Sequence, residues 1–148
     1  MCGINSIFIK NNKYSDNFIA DLIGKMSELT TKRGKDGIGI SVIIKSKLFY
    51  FSSFETSNVV NLKQYELFIN EVKKNIFFEV DIFILVHTRL KTNGEVNLEN
   101  VQPIINDNYI VAHNGIIISS KNKNLNKRIK NTKSIYSDTF YFSDYLNK

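Results

Sequence analysis

Apolar positions near the start of the chain predict a strand followed by a helix. Gly3 to Ile9 has the pattern of a strand. Ser15 can cap a helix, because its hydroxyl can accept a backbone N–H of the first turn. After Ser15, apolar residues recur at helical spacing, at Phe18, Ile19, Leu22, Ile23, Met26 and Leu29. We expect Gly34 to end this helix.

The next apolar runs predict a hairpin and a second helix. Ile38 to Ile44 and Leu48 to Phe54 are two short apolar runs with Ser46-Lys47 near the turn between them. A second amphipathic helix should follow. Its apolar face carries Tyr65, Phe68, Ile69 and Val72.

Three further strands are predicted, at Asp81 to His87, Tyr109 to Ala112 and Ile116 to Ile118. Helices and strands alternate without strict βαβ order, which favours an α+β layered sandwich over a doubly wound sheet. The chain shows no internal repeat, and no Pro- or Gly-rich linker divides it, since Pro103 is its only proline. We therefore expect a single domain.

Basic residues accumulate between Asn108 and Ser137, where no acidic residue occurs. They are Lys121, Lys123, Lys127, Arg128, Lys130 and Lys133. Asparagines interrupt any apolar periodicity there, so we expect an exposed loop with at most one helical turn. Such a stretch can contact nucleic acid, but no aromatic side chain lies among these charges to stack on bases. A solvated loop is the favoured interpretation.

The composition is that of an ordinary globular domain, with 43% hydrophobic and 23% charged residues in 148. No apolar run approaches the ~20 residues that span a bilayer, and no secretory signal is recognisable. The net charge of +6 results from 20 basic and 14 acidic residues. Only three of the basic residues are arginine, which favours a hydrated, lysine-rich surface over a polyanion-binding face. A single cysteine can form neither an internal disulfide nor a multi-thiolate zinc site. A reducing, cytoplasmic setting is the simplest interpretation.

That cysteine, Cys2, directly follows the initiator methionine. Methionine is normally removed when a small residue follows it, and Cys2 would then carry both a thiol and a free α-amine. The amine can act as the base for the thiol near neutral pH. Position two is also compatible with a small buried apolar side chain. The catalytic interpretation gains weight if other parts of an acyl-transfer site are present.

Two segments that follow predicted strands can supply such parts. Asn114 can donate through its side-chain amide and Gly115 through its backbone N–H, which makes a plausible oxyanion hole. The same pair is also common in hairpin turns. Arg89, followed by Thr92 and Gly94, can grip a carboxylate with two hydrogen bonds, or form a surface ion pair.

Asp138 lies at the predicted start of a helix, within Ser137-Asp138-Thr139. Its carboxylate can bind an ammonium group, or merely stabilise the first helical turn. His87 and His113 lie at strand ends, where lone histidines are more often structural than metal ligands. We expect neither a metal nor a cofactor.

Together these segments resemble the class II glutamine amidotransferase (glutaminase) domain, an amino-terminal-nucleophile (Ntn) hydrolase. They follow the order of that family along nearly the whole chain. The segments are Met1-Cys2-Gly3-Ile4, Arg33-Gly34-Lys35-Asp36-Gly37, His87-Thr88-Arg89 with Thr92 and Gly94, Asn100-Val101-Gln102-Pro103, His113-Asn114-Gly115 and Ser137-Asp138-Thr139. Some of them resemble the glucosamine-6-phosphate synthase branch and others the amidophosphoribosyltransferase branch, so the ammonia acceptor stays open.

The resemblance implies a reaction and its catalytic residues. Cys2 would be the nucleophile and its own α-amine the general base, while Asn114 and Gly115 would form the oxyanion hole. The thiolate would attack the side-chain amide of glutamine and release ammonia. Water would then hydrolyse the γ-glutamyl thioester to glutamate.

The resemblance also implies how glutamine is held. Arg89 would bind its α-carboxylate and Asp138 its α-ammonium, while Thr92 and Gly94 shape the pocket. The supporting residues would be Arg33, Gly34 and His87.

The implied fold is a four-layer αββα sandwich. Residues 1–148 would be a shortened glutaminase domain, because the family continues beyond the Asp138 helix with strands that complete the two sheets. The ammonia would reach an acceptor on a separate synthetase or transferase subunit. The sequence departs from the family at Lys35, Leu90 and Phe140.

Two other function classes stay open. One is a catalytically silent glutamine-binding or regulatory module with the same fold. The other is a basic nucleic-acid-binding module that works through Lys121 to Lys133, which the absence of stacking aromatics disfavours.

Overall fold

The computed structural model describes residues 2–91, 94–117, 123–129 and 135–147. Its main sheet contains four antiparallel strands, β1 (Gly3–Ile9), β2 (Ile38–Ile44), β3 (Lys47–Ser53) and β4 (Ile82–Thr88). The order across the sheet is β1-β4-β2-β3, so the two most buried strands, β4 and β2, lie in the middle. At one end of the sheet Gly3 pairs with Thr88. This register places Cys2 opposite the residue that follows β4.

Two helices, α1 (Asp16–Thr31) and α2 (Lys63–Lys73), pack on one face of the sheet. The Ser15 hydroxyl accepts the Phe18 N–H at 3.2 Å and caps α1. Burial of their apolar stripes against β2, β3 and β4 supplies most of the driving force for this layer. The helix residues in this core are Ile19, Ile23, Met26, Tyr65, Phe68 and Val72.

The two faces of the sheet differ in how they are covered. On the helical face, Ile40, Val42 and Ile84 are fully buried. On the opposite face Phe8 is 60% exposed. At one end of that face the C-terminal half packs closely on the sheet, where a Cβ at Gly39 would collide with the Gln102 carbonyl.

The C-terminal half adds a small antiparallel pair, β5 (Ile104–Ile105) with β6 (Ile110–Val111), and two helices, α3 (Lys123–Ile129) and α4 (Asp138–Leu146). Short 3₁₀ turns occupy Val59–Asn61 and Leu98–Asn100. Helix α4 contacts β5, β6 and α3. None of the described helices is long and apolar enough to cross a membrane.

Most predicted elements are confirmed. β1 and β2 have the predicted bounds, β3 and β4 are each displaced by one residue, and the helix start at Ser137 is confirmed. Helix α1 ends at Thr31 rather than at Gly34. The chain leaves the helix earlier because the following residues run against the end of β4, where Gly34 contacts the Thr88 and Arg89 carbonyls.

Two predictions for the C-terminal half are wrong. Ile116 and Ile117 are not in a strand, and Ile118 lies outside the described residues. The expected basic loop contains helix α3 instead of a single turn. That helix buries Leu125, which is 4% exposed, and Arg128 forms an ion pair of 2.7 Å with Asp144 of α4. Tertiary contact thus stabilises a helix that local periodicity does not predict.

Candidate active site

Cys2 lies just before β1, with its sulfur beside the Leu90 peptide. The Leu90 N–H donates to Sγ at 3.3 Å, and Sγ lies 3.5 Å from the Leu90 carbonyl oxygen. Cys2 is partly buried and its thiol is free. The antiparallel pairing of β1 with β4 therefore joins two residues that are 88 positions apart in the sequence.

Arg89, directly after β4, is a buried cation with only 3% of its surface exposed. Its Nη1 donates to the Glu95 carbonyl at 2.7 Å. Burial lowers the pKa of Arg89, and the nearby acidic groups of Cys2, Asp36 and Asp138 oppose that shift. The guanidinium thus lies within the electrostatic reach of both the candidate nucleophile and Asp138. A cation in this position suits an incoming carboxylate.

The loop of Arg33 and Gly34 lies against the same end of the sheet. The Arg33 Nε donates to the Cys2 carbonyl at 3.4 Å. A Cβ at Gly34 would lie 2.6 Å from the Arg89 carbonyl oxygen and 2.8 Å from that of Thr88. Only glycine permits so close an approach of two backbones. The loop is thereby fixed to both Cys2 and Arg89.

Asp138 begins helix α4 and is 6% exposed. Its Oδ2 accepts the Ile117 N–H at 2.6 Å and its Oδ1 accepts the Thr139 N–H at 2.9 Å. The carboxylate therefore stabilises the first turn of α4 and also holds the segment that follows Gly115. An ammonium group reaching Asp138 would share these oxygens with the two backbone donors.

Asn114 and Gly115 are exposed, and within the described residues neither forms a hydrogen bond with Cys2 or Arg89. Their segment is held on both sides. The His113 N–H donates to Gln102 Oε1 at 2.6 Å, and the Ile117 N–H donates to Asp138. The Asp138 carboxylate also interacts electrostatically with Arg89. The segment is therefore anchored within reach of the Arg89 guanidinium, and its two candidate oxyanion donors are open to solvent.

Of the two pocket residues after Arg89, Thr92 lies outside the described residues. Gly94 has a φ of +73°, a conformation that favours glycine. A Cβ there would lie 2.7 Å from the Ser137 nitrogen and 3.1 Å from Asn100 Nδ2. Gly94 thus allows the loop after Arg89 to pack against the start of α4.

Asn100 and Gln102 are not among the predicted site residues, although both lie in one of the matching segments. Asn100 is fully buried, and its Nδ2 donates to the carbonyls of Glu95 at 2.9 Å and Ile135 at 2.7 Å. Its Oδ1 accepts the Ser137 N–H at 2.6 Å. Gln102 links His113 to Thr139. In the sequence, these hydrogen bonds are indicated only by two amide side chains close to the single proline, Pro103.

His87 is fully buried on the face of the sheet opposite the helices, where it pairs with Gly39. Burial lowers the pKa of His87 to about 4, and the nearby backbone of His113 opposes that shift in part. Among the described residues, neither ring nitrogen has a partner at normal hydrogen-bond geometry. The ring therefore lies neutral between the sheet and the segment that leads to Asn114. Across all the residues that the structure describes, no three His, Cys, Asp or Glu side chains lie close enough together to hold a metal ion.

The chain is similar to two curated proteins, both named glutamine–fructose-6-phosphate aminotransferase [isomerizing]. The relative from Buchnera aphidicola subsp. Acyrthosiphon pisum (strain APS) is 33% identical over 141 residues, which is 93% of this chain and 20% of the relative. The relative from Buchnera aphidicola subsp. Baizongia pistaciae (strain Bp) is 29% identical over 119 residues, which is 79% of this chain and 17% of the relative. The chain thus spans about a fifth of the length of these relatives. No protein-family model and no solved structure matches it.

Proposed function

We propose that this chain is a glutamine amidotransferase domain that hydrolyses the side-chain amide of L-glutamine to glutamate and ammonia. Its similarity to two glutamine-dependent aminotransferases supports the general class. The observation that carries the proposal is the position of the Cys2 sulfur beside the Leu90 peptide, within electrostatic reach of the buried guanidinium of Arg89. A nucleophile and a carboxylate-binding cation then lie at the neighbouring ends of two adjacent strands.

The proposed reaction begins on Cys2 after removal of Met1. The free α-amine takes the thiol proton, and the sulfur attacks the amide carbon of the glutamine side chain. The Asn114 amide and the Gly115 N–H stabilise the oxyanion of the tetrahedral intermediate. The protonated α-amine returns its proton to the leaving nitrogen, which departs as ammonia. Water then attacks the γ-glutamyl thioester and releases glutamate and the thiol.

Arg89 and Asp138 hold the two charged ends of glutamine in this proposal. The α-carboxylate pairs with the guanidinium, and the α-ammonium pairs with the carboxylate that already accepts the Ile117 N–H. Gly94, with Thr92, shapes the pocket wall. Because Asp138 also holds the Asn114-Gly115 segment, bound substrate would fix the candidate oxyanion hole more firmly.

We further propose that the four-stranded sheet and its two helices form half of a four-layer αββα sandwich of the Ntn-hydrolase type. Residues 1–148 then belong to a glutaminase domain. Ammonia would pass to an acceptor held by a synthetase or transferase. A free nucleophilic thiol fits a reducing compartment such as the cytoplasm.

The experiment that tests this function compares protein whose Met1 has been removed with the Cys2→Ala variant. We expect glutamate release from L-glutamine by the former and only background release by the variant. A glutamine-like electrophile should add once, on the first peptide, and not to Cys2→Ala. Undiminished glutamate release by Cys2→Ala would overturn the proposal.

A matched control retains one residue before Cys2, which keeps the thiol but blocks the α-amine. Its mass identifies the amino terminus, and its activity should fall close to background. Full activity with a blocked amine would exclude the α-amine as the base.

A second candidate function is a glutamine-binding module without turnover. It is favoured by one observation, since Asn114 and Gly115 are exposed to solvent, where their hydrogen bonds to an oxyanion would be weak. Calorimetry distinguishes the two functions, because a silent module would bind L-glutamine and release no glutamate.

A further inference from the structure

Three hydrogen bonds fix the backbone on both sides of Leu90. The Asp36 N–H donates to the Arg89 carbonyl at 2.9 Å, and the Arg89 N–H donates to the Gly37 carbonyl at 2.8 Å. The Asp36 carboxylate then accepts the Lys91 N–H at 2.7 Å. These bonds continue the pairing of β2 with β4 beyond the ends of the two strands. The peptide groups that flank Leu90 are therefore held before any substrate arrives.

This arrangement leaves both polar groups of the Leu90 backbone facing the Cys2 sulfur. The N–H lies 3.3 Å from Sγ and the carbonyl oxygen 3.5 Å from it. A neutral thiol can donate its proton to the carbonyl, whereas a thiolate can only accept, and the N–H is then its partner. Hydrogen bonds to a charged acceptor are about twice as strong as neutral ones. The same residue thus accommodates both protonation states of the nucleophile.

We infer that the Leu90 backbone N–H is a catalytic group that stabilises the Cys2 thiolate, and that Asp36 is the positioning residue for both peptides of Leu90. The Asp36 backbone N–H holds the Arg89 carbonyl of the peptide that carries the Leu90 N–H, and the Asp36 carboxylate holds the Lys91 N–H of the next peptide. The contribution of the Leu90 N–H to glutamine hydrolysis rests on the proposed function. The Leu90 side chain is 39% exposed and takes no part. What matters at position 90 is the presence of an N–H, and what matters at position 36 is an oxygen that accepts from Lys91.

Asp36 could also act through its charge, because its carboxylate influences Arg89. The two explanations differ for Asp36→Asn, which keeps an acceptor oxygen and loses the charge. They also differ for the peptide itself, because only proline at position 90 removes the N–H.

The test measures the alkylation rate of Cys2 by iodoacetamide from pH 6 to pH 10, in Leu90→Pro and in Leu90→Ala. Both variants remove the leucine side chain, and only the first removes the donor. Because the chain has one cysteine, S-alkylation reports on Cys2 alone, and mass spectrometry of the first peptide distinguishes the adduct on sulfur from the amine adducts that form at high pH. Mass spectrometry confirms the amino terminus, and thermal unfolding confirms that each variant is folded.

The expected result is a crossing of two pH profiles. Loss of one hydrogen bond to a charged group lowers the thiolate fraction at neutral pH about tenfold. A less stabilised thiolate is also intrinsically more reactive, with a Brønsted slope of about 0.4–0.5, which offsets about threefold of that loss. Leu90→Pro should therefore react about threefold more slowly than Leu90→Ala near pH 7 and about threefold faster at high pH. A merely steric effect would slow alkylation at every pH, and that result, or coincident profiles, would overturn the inference.

Asp36 is tested in the same assay. Asp36→Ala should move the profile in the direction of Leu90→Pro, whereas Asp36→Asn should stay within about twofold of the unsubstituted protein, because it keeps a hydrogen-bond acceptor for Lys91. Asp107→Asn, at an exposed position remote from these contacts, is the matched control and should change nothing. An unchanged profile for Asp36→Ala, or an Asp36→Asn profile equal to that of Asp36→Ala, would overturn the positioning role.

Glutamate release measured in parallel separates the inference from the function on which it rests. Crossing profiles without glutamate release would contradict the proposed function and leave the role of the Leu90 amide intact. Glutamate release with coincident alkylation profiles would contradict the inference alone.

Discussion

At the scale of single residues, Gly34 decides how closely two backbones approach at the candidate site. A Cβ there would lie 2.6 Å from the Arg89 carbonyl oxygen, which is shorter than real Cβ contacts. The same carbonyl accepts the Asp36 N–H that helps to position Leu90. A methyl group at position 34 would therefore move the peptide that faces the Cys2 sulfur.

We expect Gly34→Ala to lower the free energy of unfolding by about 1–3 kcal/mol, the usual cost of overpacking. It should also lower glutamate release, because Arg89 and Leu90 move together with their shared peptide. Urea unfolding and glutaminase assays measure the two effects.

Gly24→Ala is the matched control for this substitution. Gly24 lies inside α1, where a Cβ would meet its nearest neighbour at an ordinary 3.5 Å. Alanine should raise stability there by about 0.5–1 kcal/mol and leave activity unchanged. Equal stability changes at the two positions would contradict the contact argued for Gly34.

At the scale of elements, a single buried amide connects the loop after Arg89 to helix α4. Asn100 donates to the Glu95 and Ile135 carbonyls and accepts the Ser137 N–H. Ser137 in turn caps α4 by accepting the Phe140 N–H at 3.1 Å. The position of Ser137, and with it that of Asp138 at the start of α4, thus depends on a side chain 37 residues before Ser137.

Asn100→Ala should lower the free energy of unfolding by about 1–3 kcal/mol, because it leaves the Ser137 N–H without its acceptor. The Glu95 and Ile135 carbonyls lose one hydrogen bond each and keep those from Arg89 and from the Glu95 N–H. If Asp138 binds the ammonium of glutamine, KM for glutamine should rise more than kcat falls. Urea unfolding and steady-state kinetics measure these changes.

The control for Asn100 is Asn70→Ala, at an exposed position of α2. It should change stability by no more than about 0.5 kcal/mol and leave KM unchanged. An Asn100→Ala protein as stable as this control would show that the amide does not connect the two elements.

At the scale of the whole molecule, the two faces of the sheet have different partners. The helical face is a continuous apolar core, whereas the opposite face is covered at one end by the segment around Gln102. His87 is buried at that covered end without a hydrogen-bond partner among the described residues. The contact between the sheet and the C-terminal half therefore encloses a titratable group that must stay neutral.

Stability should fall as the pH decreases from about 6.5 to about 4. The pKa of His87 is about 4 in the folded protein, below its ordinary value of 6.5, so the unfolded chain binds a proton first. The stability contributed by the neutral ring is complete above pH 6.5 and is lost as the pH falls to 4, to a total on the order of 3 kcal/mol. Urea unfolding at several pH values measures this loss.

Two substitutions locate the source of that pH dependence. His87→Gln should flatten the stability profile between pH 6.5 and pH 4, whereas His113→Gln should keep most of its slope. An unchanged slope in His87→Gln would assign the acid sensitivity to other groups.

How far the sequence predicts this protein depends on the range of the interaction concerned. The Ser15 cap and the apolar periodicity after it act within a few residues, and helix α1 begins where they predict. Helix α3 was missed because its stability comes from Leu125 and Arg128 packing on α4, which no local pattern contains. The candidate site shows the same limit, since its segments were recognisable in the sequence but the roles of Asp36 and Asn100 were not.

The sequence by itself determined the four strands of the main sheet and helices α1 and α2, and it predicted which side chains contribute to the candidate site. Hydrophobic periodicity, caps and glycines act locally, so they can be read in order along the chain. Only the tertiary structure decided that Cys2 lies beside Leu90 and that Asn100 holds Ser137, contacts that close loops of 88 and 37 residues. Such loops close because a shared core offsets the entropy of bringing their ends together, and that core is a property of the whole chain.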